Sequence, residues 1–419
     1  MHRLTRLAVV AATLLAAATS ARAEETVKWL HIEQNPAQLA IWNDVVQAFN
    51  ASHPGVKVEP QFLENEAFKA KLTTILQSRD KPAIFYSWAG GVLRAQAEAG
   101  VLEDIAGKVG PYADTLNPMA LNAFRVDGHL YGIPQALSVV GIFYNKALLA
   151  KAGVDPSNVK TWDDFLGAVK TVKAAGIVPL AAGGGDKWPL ALIYSYLCLR
   201  VGGEAGFQEA LKGKNGGFAG PAFVKAGEEL RRLAALEPFQ PGFLGVKNQA
   251  AIGLFADGKA AMTIAISSAY AQQHALAADK KGLPDEQLGW IDFPTVSGGS
   301  GKPTDTLGGI TGWLVSKGAP SATVPFLEAF VSKDVQSKLA ASGYLIPVVK
   351  GADAALASPF MRHVAEQLDH STYHQNFYDQ TLGPSVGRTV NDVSAELAAG
   401  TMTGQAAAQA VQDAWAQGN

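Results

Sequence analysis

The stretch from Asp127 to Val154, DGHLYGIPQALSVVGIFYNKALLAKAGV, restricts what this chain can fold into more than any other segment. Residues 130–133 and 139–144 are rich in β-branched and aromatic side chains and read as two short strands, with Pro134 between them. Proline has no amide hydrogen for a central ladder, so the chain is expected to turn or leave one sheet there. Asn145 then caps a short helix whose Leu148 and Leu149 face inward, and Gly153 closes it.

Strand and helix patterns alternate on both sides of this break. Upstream, 27–32 reads as a strand ending in the polar turn Glu33-Gln34-Asn35-Pro36. A helix with Ile41, Val45 and Phe49 on one face follows, stopped by His53-Pro54-Gly55. A strand over 56–62, a helix marked by Phe68, Leu72, Ile75 and Leu76, and a strand over 82–86 complete the pattern. Alternation in units of about thirty residues predicts a doubly wound α/β lobe. Downstream, Trp162, Phe165, Leu166, Val169 and Val172 mark one helix, and 190–201 is apolar enough to be a buried one. A further helix over 223–236, a strand over 260–266 and a glycine-rich loop over 296–308 predict a second lobe. A chain of 419 residues suits two cores better than one.

Hydrophobic residues make up 48% and charged ones 17%, a composition that buries a core and excludes a disordered chain. The formal net charge of −2 offers no basic footprint for nucleic acid and no polybasic patch for a membrane. His2, Arg3 and Arg6, the apolar run 7–18 and Ala21-Arg22-Ala23 form a tripartite export signal over residues 1–23, with Glu24 expected as the mature start. The apolar run is too short to span a bilayer. Cys198 is the single cysteine, so no lipid-bearing cysteine follows the signal and no disulfide forms within the chain. Export without a lipid anchor points to a soluble protein of a Gram-negative periplasm.

The order strand–Tyr–Gly–Ile–Pro–strand–Tyr–Asn–Lys–helix–Gly resembles the first lobe crossing of the sugar-binding proteins that serve ABC importers. These are the maltose-binding-protein-like members of extracellular solute-binding protein family 1. Thr161-Trp162-Asp163-Asp164-Phe165 and Gly176-Ile177-Val178-Pro179 extend the likeness. The resemblance implies a two-lobed α/β periplasmic binding protein fold with interleaved, discontinuous lobes and a hinge. It places residues 24–133 and 308–331 in an N-terminal lobe and 134–294 and 342–419 in a C-terminal lobe. Residues 295–307 and 332–341 then become crossing segments. It further implies a monomer that binds a mono- or oligosaccharide and docks on membrane permease subunits, without a cofactor.

Ligands of open α/β sheets sit beyond the carboxyl ends of the strands. Three such loops carry Glu33 with Asn35, Glu64 with Asn65, and Ser87-Trp88. Sugar hydroxyls need carboxylates and amides, and the C–H faces of the ring need a flat aromatic surface; these loops supply both. The loop Ala181-Ala182-Gly183-Gly184-Gly185-Asp186-Lys187-Trp188 lacks the lysine–serine/threonine ending of a phosphate loop. By resemblance it lines the cleft, with Asp186 as a hydroxyl partner and Trp188 as a stacking platform. Ser267 and Ser268 stand where the family has a cleft tryptophan, which exchanges an aromatic platform for two hydroxyls. Gly309 belongs to a glycine-rich re-entry into the first lobe, with Trp313 expected in its core. Tyr378 and Asp379, ahead of the weaker candidates Tyr373, His374 and Phe377, match the C-terminal cleft segment of oligosaccharide-binding members. Glu33-Gln34-Asn35-Pro36 and Ser87-Trp88-Ala89-Gly90-Gly91 suggest the branch that takes α-galactosides or xylo-oligosaccharides.

Two other readings use the same residues. An exported glycoside hydrolase would need two carboxyl groups at a fixed separation, and no local motif supplies them. A binding fold with another cargo would take a metal, a peptide or a polyamine. His363, His370 and His374 would share a face if one helix ran through them, but no H-E-x-x-H motif or nearby cysteine accompanies them.

Overall fold

The computed structural model describes residues 24–418, so the export signal over residues 1–23 lies outside the described residues. The N-terminal alternation builds a six-stranded sheet ordered Ile346–Pro347, Gly132–Leu137, Ile310–Val315, Ile84–Ser87, Glu25–His31, Val56–Phe62. Glu25–His31 pairs in parallel with Val56–Phe62 and Ile84–Ser87, while the ladders through Ile310–Val315 and Gly132–Leu137 are antiparallel. Helices Pro36–Ser52 and Asn65–Leu76 join the three parallel strands. Such crossovers bring all three carboxyl ends to one edge of the sheet.

A four-stranded sheet, ordered Leu288–Ile291, Val140–Asn145, Met262–Ile266, Leu180–Ala181, forms the second lobe. Side chains alternate along its strands, so its two faces bury different sets. Val140, Ile142, Met262 and Ile264 enter one cluster, and Phe143 and Ala265 another. The first sheet has its own core, where Trp29, Trp42, Trp313, Phe326 and Phe330 pack largely edge to face. The first sheet's cluster makes one lobe and the two clusters on the second sheet make the other, interleaved along the chain as expected.

Within the described residues the chain passes between these cores three times. Val139 lies in the first core and Val140 in the second; Leu307 in the second and Ile310 in the first; Leu368 in the first and Phe377 in the second. The crossings are stitched together. Ser138 N donates to Gly309 O at 3.0 Å, and Ser267 N donates to Val139 O at 2.8 Å. Gly309 N donates to Ser138 Oγ at 3.0 Å. Thr306–Gly308 pairs in parallel with His374–Asn376.

Pro134 does not break the strand as anticipated. It lies inside Gly132–Leu137 opposite Gly312, where the ladder slips between Thr311 and Gly312. On its other side, Ile346–Pro347 reaches only Leu137 and Ala136. A bulge beside a two-residue partner asks no amide of Pro134. The exit to the second lobe comes at Ser138 instead.

The C-terminal boundaries move too. Residues 332–341 are not a crossing: helix Lys333–Ala341 buries Val335 and Leu339 in the first core. Ile346–Pro347 pairs on the first sheet, and Met361, Val364 and Leu368 of helix Pro359–Asp369 pack into the same core. Residues 342–368 therefore sit with the first lobe rather than the second. Residues 295–305 sit with the second, where Val296 is in the core and Arg200 donates to the carbonyls of Phe293, Pro294, Pro303 and Asp305. Helix Pro359–Asp369 ends before His370, and His374 lies in a strand, so the three histidines do not share one helix face. No described helix is long and apolar enough to cross a membrane.

Candidate ligand-binding cleft

A cavity of about 560 Å³ opens between the lobes, with both contributing to its wall. The loops at the carboxyl ends of the three parallel strands form the first-lobe side. Glu33 Oε1 accepts from the amides of Gln34 at 2.8 Å and Asn35 at 2.6 Å. Its Oε2 accepts from the Tyr344 hydroxyl at 2.5 Å. Burial raises the Glu33 carboxyl above the usual carboxylate range, although these three bonds pull the other way. Burial, and then the charge of Glu33, lifts Tyr344 well above an ordinary phenol.

Asn35 and Glu64 line the cavity, but their side chains cap helices. Asn35 Oδ1 accepts from Ala37 N and Gln38 N, and Glu64 Oε2 from Glu66 N and Ala67 N. That satisfies amides that the first helical turn leaves without partners. Asn65 lines the cavity beside them and donates to Glu66 at 2.6 Å. Trp88 is fixed on two sides. Its ring meets Tyr86 at 5.0 Å and Phe68 at 5.8 Å, both edge-on, and its carbonyl accepts from Asn376 Nδ2 at 3.0 Å.

On the second-lobe side, the glycine run exists for close packing. A Cβ on Gly183 would meet the Asn248 backbone at 2.5 Å, and one on Gly184 would meet Phe243 O at 2.8 Å. This contact lets Asp186 Oδ2 accept from Asn248 N at 2.7 Å and sets Trp188 at the start of helix Trp188–Leu211. Asp379 Oδ2 accepts from Gln380 Nε2 at 2.9 Å. Ser267 is nearly inaccessible, at 1% exposure, and its Oγ accepts from Val139 N at 3.3 Å. Ser268 Oγ accepts from Gln272 Nε2 at 3.3 Å. Both serines touch the cavity.

Two expected site residues serve the fold. Gly309 is absent from the cavity wall; it stitches the hinge, and a Cβ there would strike the Phe377 ring at 2.3 Å. Tyr378 touches the cavity, yet its ring packs on Phe207 in the second core at 4.7 Å between centroids. Tyr373 and His374 are not on the wall, whereas Phe377 is. The wall also carries residues that the sequence did not single out: Lys69, Tyr86, Gln135, Lys247, Gln272 and Tyr344. Three buried polar atoms of lining residues, Gln38 Oε1, Gln135 Oε1 and Trp42 Nε1, have no hydrogen-bond partner in the protein.

Chemically, the cavity offers fixed acceptors and aromatic faces. Its carboxylates are engaged by backbone amides, a tyrosine and a carboxamide, which holds each one in a fixed orientation. Two lobes with separate cores, stitched crossings and a polar–aromatic cavity between them define a receptor that encloses a small ligand. The chain belongs to the bacterial extracellular solute-binding protein family, which it matches over residues 34–337. Members of this family bind; they do not catalyse.

Curated relatives are matched over part of their length. An uncharacterised ABC transporter extracellular-binding protein of Pyrococcus horikoshii is 29% identical over 182 residues, covering 42% of each chain. The multiple sugar-binding protein of Streptococcus mutans is 26% identical over 301 residues, covering 69% of this chain and 68% of that one. Among solved structures, a protein of xylan utilisation from Caldanaerobius polysaccharolyticus superposes with a TM-score of 0.86 at 25% identity. That match covers 93% of this chain and 99% of the other.

Proposed function

We propose that the protein captures an oligosaccharide, of the xylo-oligosaccharide or α-galactoside type, in the periplasm and delivers it to the permease of an ABC importer. It acts as a monomer and closes around a hinge made of the three crossings. The observation that carries this reading is that Trp88 and Trp188, from opposite lobes, line one cavity among carboxylates and carboxamides. Stacking surfaces from two lobes hold a ring only when the lobes approach, which couples binding to closure. Glu33, Asn65, Asp186 and Asp379 would accept from hydroxyls, helped by the unpartnered carboxamide oxygens of Gln38 and Gln135. Asn35, Glu64, Ser267 and Ser268 shape the wall behind them. The likeness to a xylan-utilisation protein supports the xylo-oligosaccharide arm.

A thermal-shift screen over xylo-oligosaccharides, raffinose, stachyose, chito-oligosaccharides and maltose tests it. A ligand present at about a hundred times its Kd adds about 2.7 kcal/mol to the native state and raises Tm. A panel in which no sugar moves Tm contradicts the sugar reading.

A further inference from the structure

Lys69 projects from helix Asn65–Leu76 of the first lobe into the gap between the two tryptophans. Its Nζ lies 5.4 Å from the centroid of the Trp88 ring and 6.0 Å from that of Trp188. One ammonium thus serves aromatic faces of both lobes, within the range where a ring quadrupole attracts a cation. Carboxylates flank it: Glu66 Oε1 at 3.4 Å on its own helix, and Asp379 Oδ2 at 4.0 Å from the second lobe. We propose that Lys69 fills the tryptophan pair until a sugar displaces it, and that its charge makes the cleft select neutral over cationic glycans. This rests on the sugar-binding reading above.

A pyranose stacked on either tryptophan needs the space that the ammonium occupies. The lysine has somewhere to go. Its stem is flexible and its side chain is 26% exposed, so it can swing toward solvent while staying near the Glu66 carboxylate of its own helix. A glycan carrying its own amine would instead meet a like charge beside the rings. The rest of the wall would welcome such an amine. Glu33, Glu64, Asp186 and Asp379 line the cavity, and among the described residues only Lys69 and Lys247 oppose them there. With Lys69 removed, two tryptophans stand among acidic groups that Lys247 alone opposes, which makes the pair a cation site.

Lys69→Met keeps the stem and deletes the charge; Lys69→Gln is the second variant should the first lose its fold. The probes are n-butylammonium, which copies the end of the lysine, and the chitosan disaccharide, a cationic glycan. The readout is tryptophan fluorescence titration beside a melting curve. The variant is expected to gain a saturable response to both probes, at least about tenfold tighter than wild type. Adding Trp188→Ala should abolish the gain. An equal response in wild type, or no response in either folded variant, overturns the proposal. The n-butylammonium arm contains no sugar, so its failure is distinguishable from a failed sugar screen.

Discussion

His31 and His374 are imidazoles that the fold keeps neutral. Burial lowers each from 6.5 to about 4. His31 Nδ1 accepts from Glu33 N at 3.3 Å, and His374 Nδ1 shares a 2.8 Å bond with the Thr306 hydroxyl. Above pH 6.5 both rings are neutral whether the chain is folded or not, and they contribute no pH dependence. Between about 6.5 and 4 the unfolded chain binds protons that the native state refuses, so stability falls as pH falls. The loss amounts to as much as about 3 kcal/mol per ring. Glu33 works with the opposite sign. Its folded carboxyl is raised, so the native state binds the extra proton, and stability is lost as pH rises from the ordinary glutamate range through the folded value. A melting series in pH should therefore drop below 6.5, and His31→Asn with His374→Gln should flatten that drop. An unchanged drop in the double variant would place the acid lability elsewhere.

At the scale of elements, Arg200 shows how a long loop is held without secondary structure. It is fully buried on helix Trp188–Leu211, with its charge spread over main-chain carbonyls from Phe293 to Asp305 and its guanidinium 4.8 Å from the Tyr196 ring. No carboxylate is paired with it in the described residues. Arg200→Met would leave the carbonyls of Phe293, Pro294 and Pro303 without that donor, while Asp305 O keeps the Tyr196 hydroxyl, at a cost of about 3 kcal/mol or more. Limited proteolysis should then cut within residues 296–304; a variant as resistant as wild type would mean that the loop is secured by other contacts.

Elements governed by local chemistry were legible in the sequence. Asn145 caps and Gly153 closes the helix Lys146–Ala152 as read. The strand exits bearing Glu33, Glu64 and Trp88 were legible for the same reason. What the chain brings from afar was not. Tyr344 reaches Glu33 across 311 positions, and Lys69 approaches Trp188 from another part of the chain. Asn35 and Glu64 read as free hydroxyl partners because a capping group and a ligand group are the same chemical type. Ile346–Pro347 has too few residues to show a period, so the return to the first sheet went unseen.

For the whole molecule, the proposed closure moves the hinge and leaves the packed lobes rigid. The three crossings meet at Ser138, Gly309 and the ladder Thr306–Gly308 with His374–Asn376. In the proposed closure, a rotation there would carry Trp188 toward Trp88 while each sheet keeps its register. Small-angle scattering should show a smaller radius of gyration when a saturating sugar is added; no change on confirmed binding would indicate a rigid, preformed site.

The most direct test of the central claim, that a sugar is held between tryptophans of opposite lobes, is calorimetric titration of Trp88→Ala and Trp188→Ala with the sugar from the panel. Stacking buries apolar area worth about 1–3 kcal/mol per ring. Each substitution should therefore weaken binding by roughly tenfold to a hundredfold, with the melting curve of Trp188→Ala unchanged. Wild-type affinity in both variants would contradict stacking of the sugar between these rings.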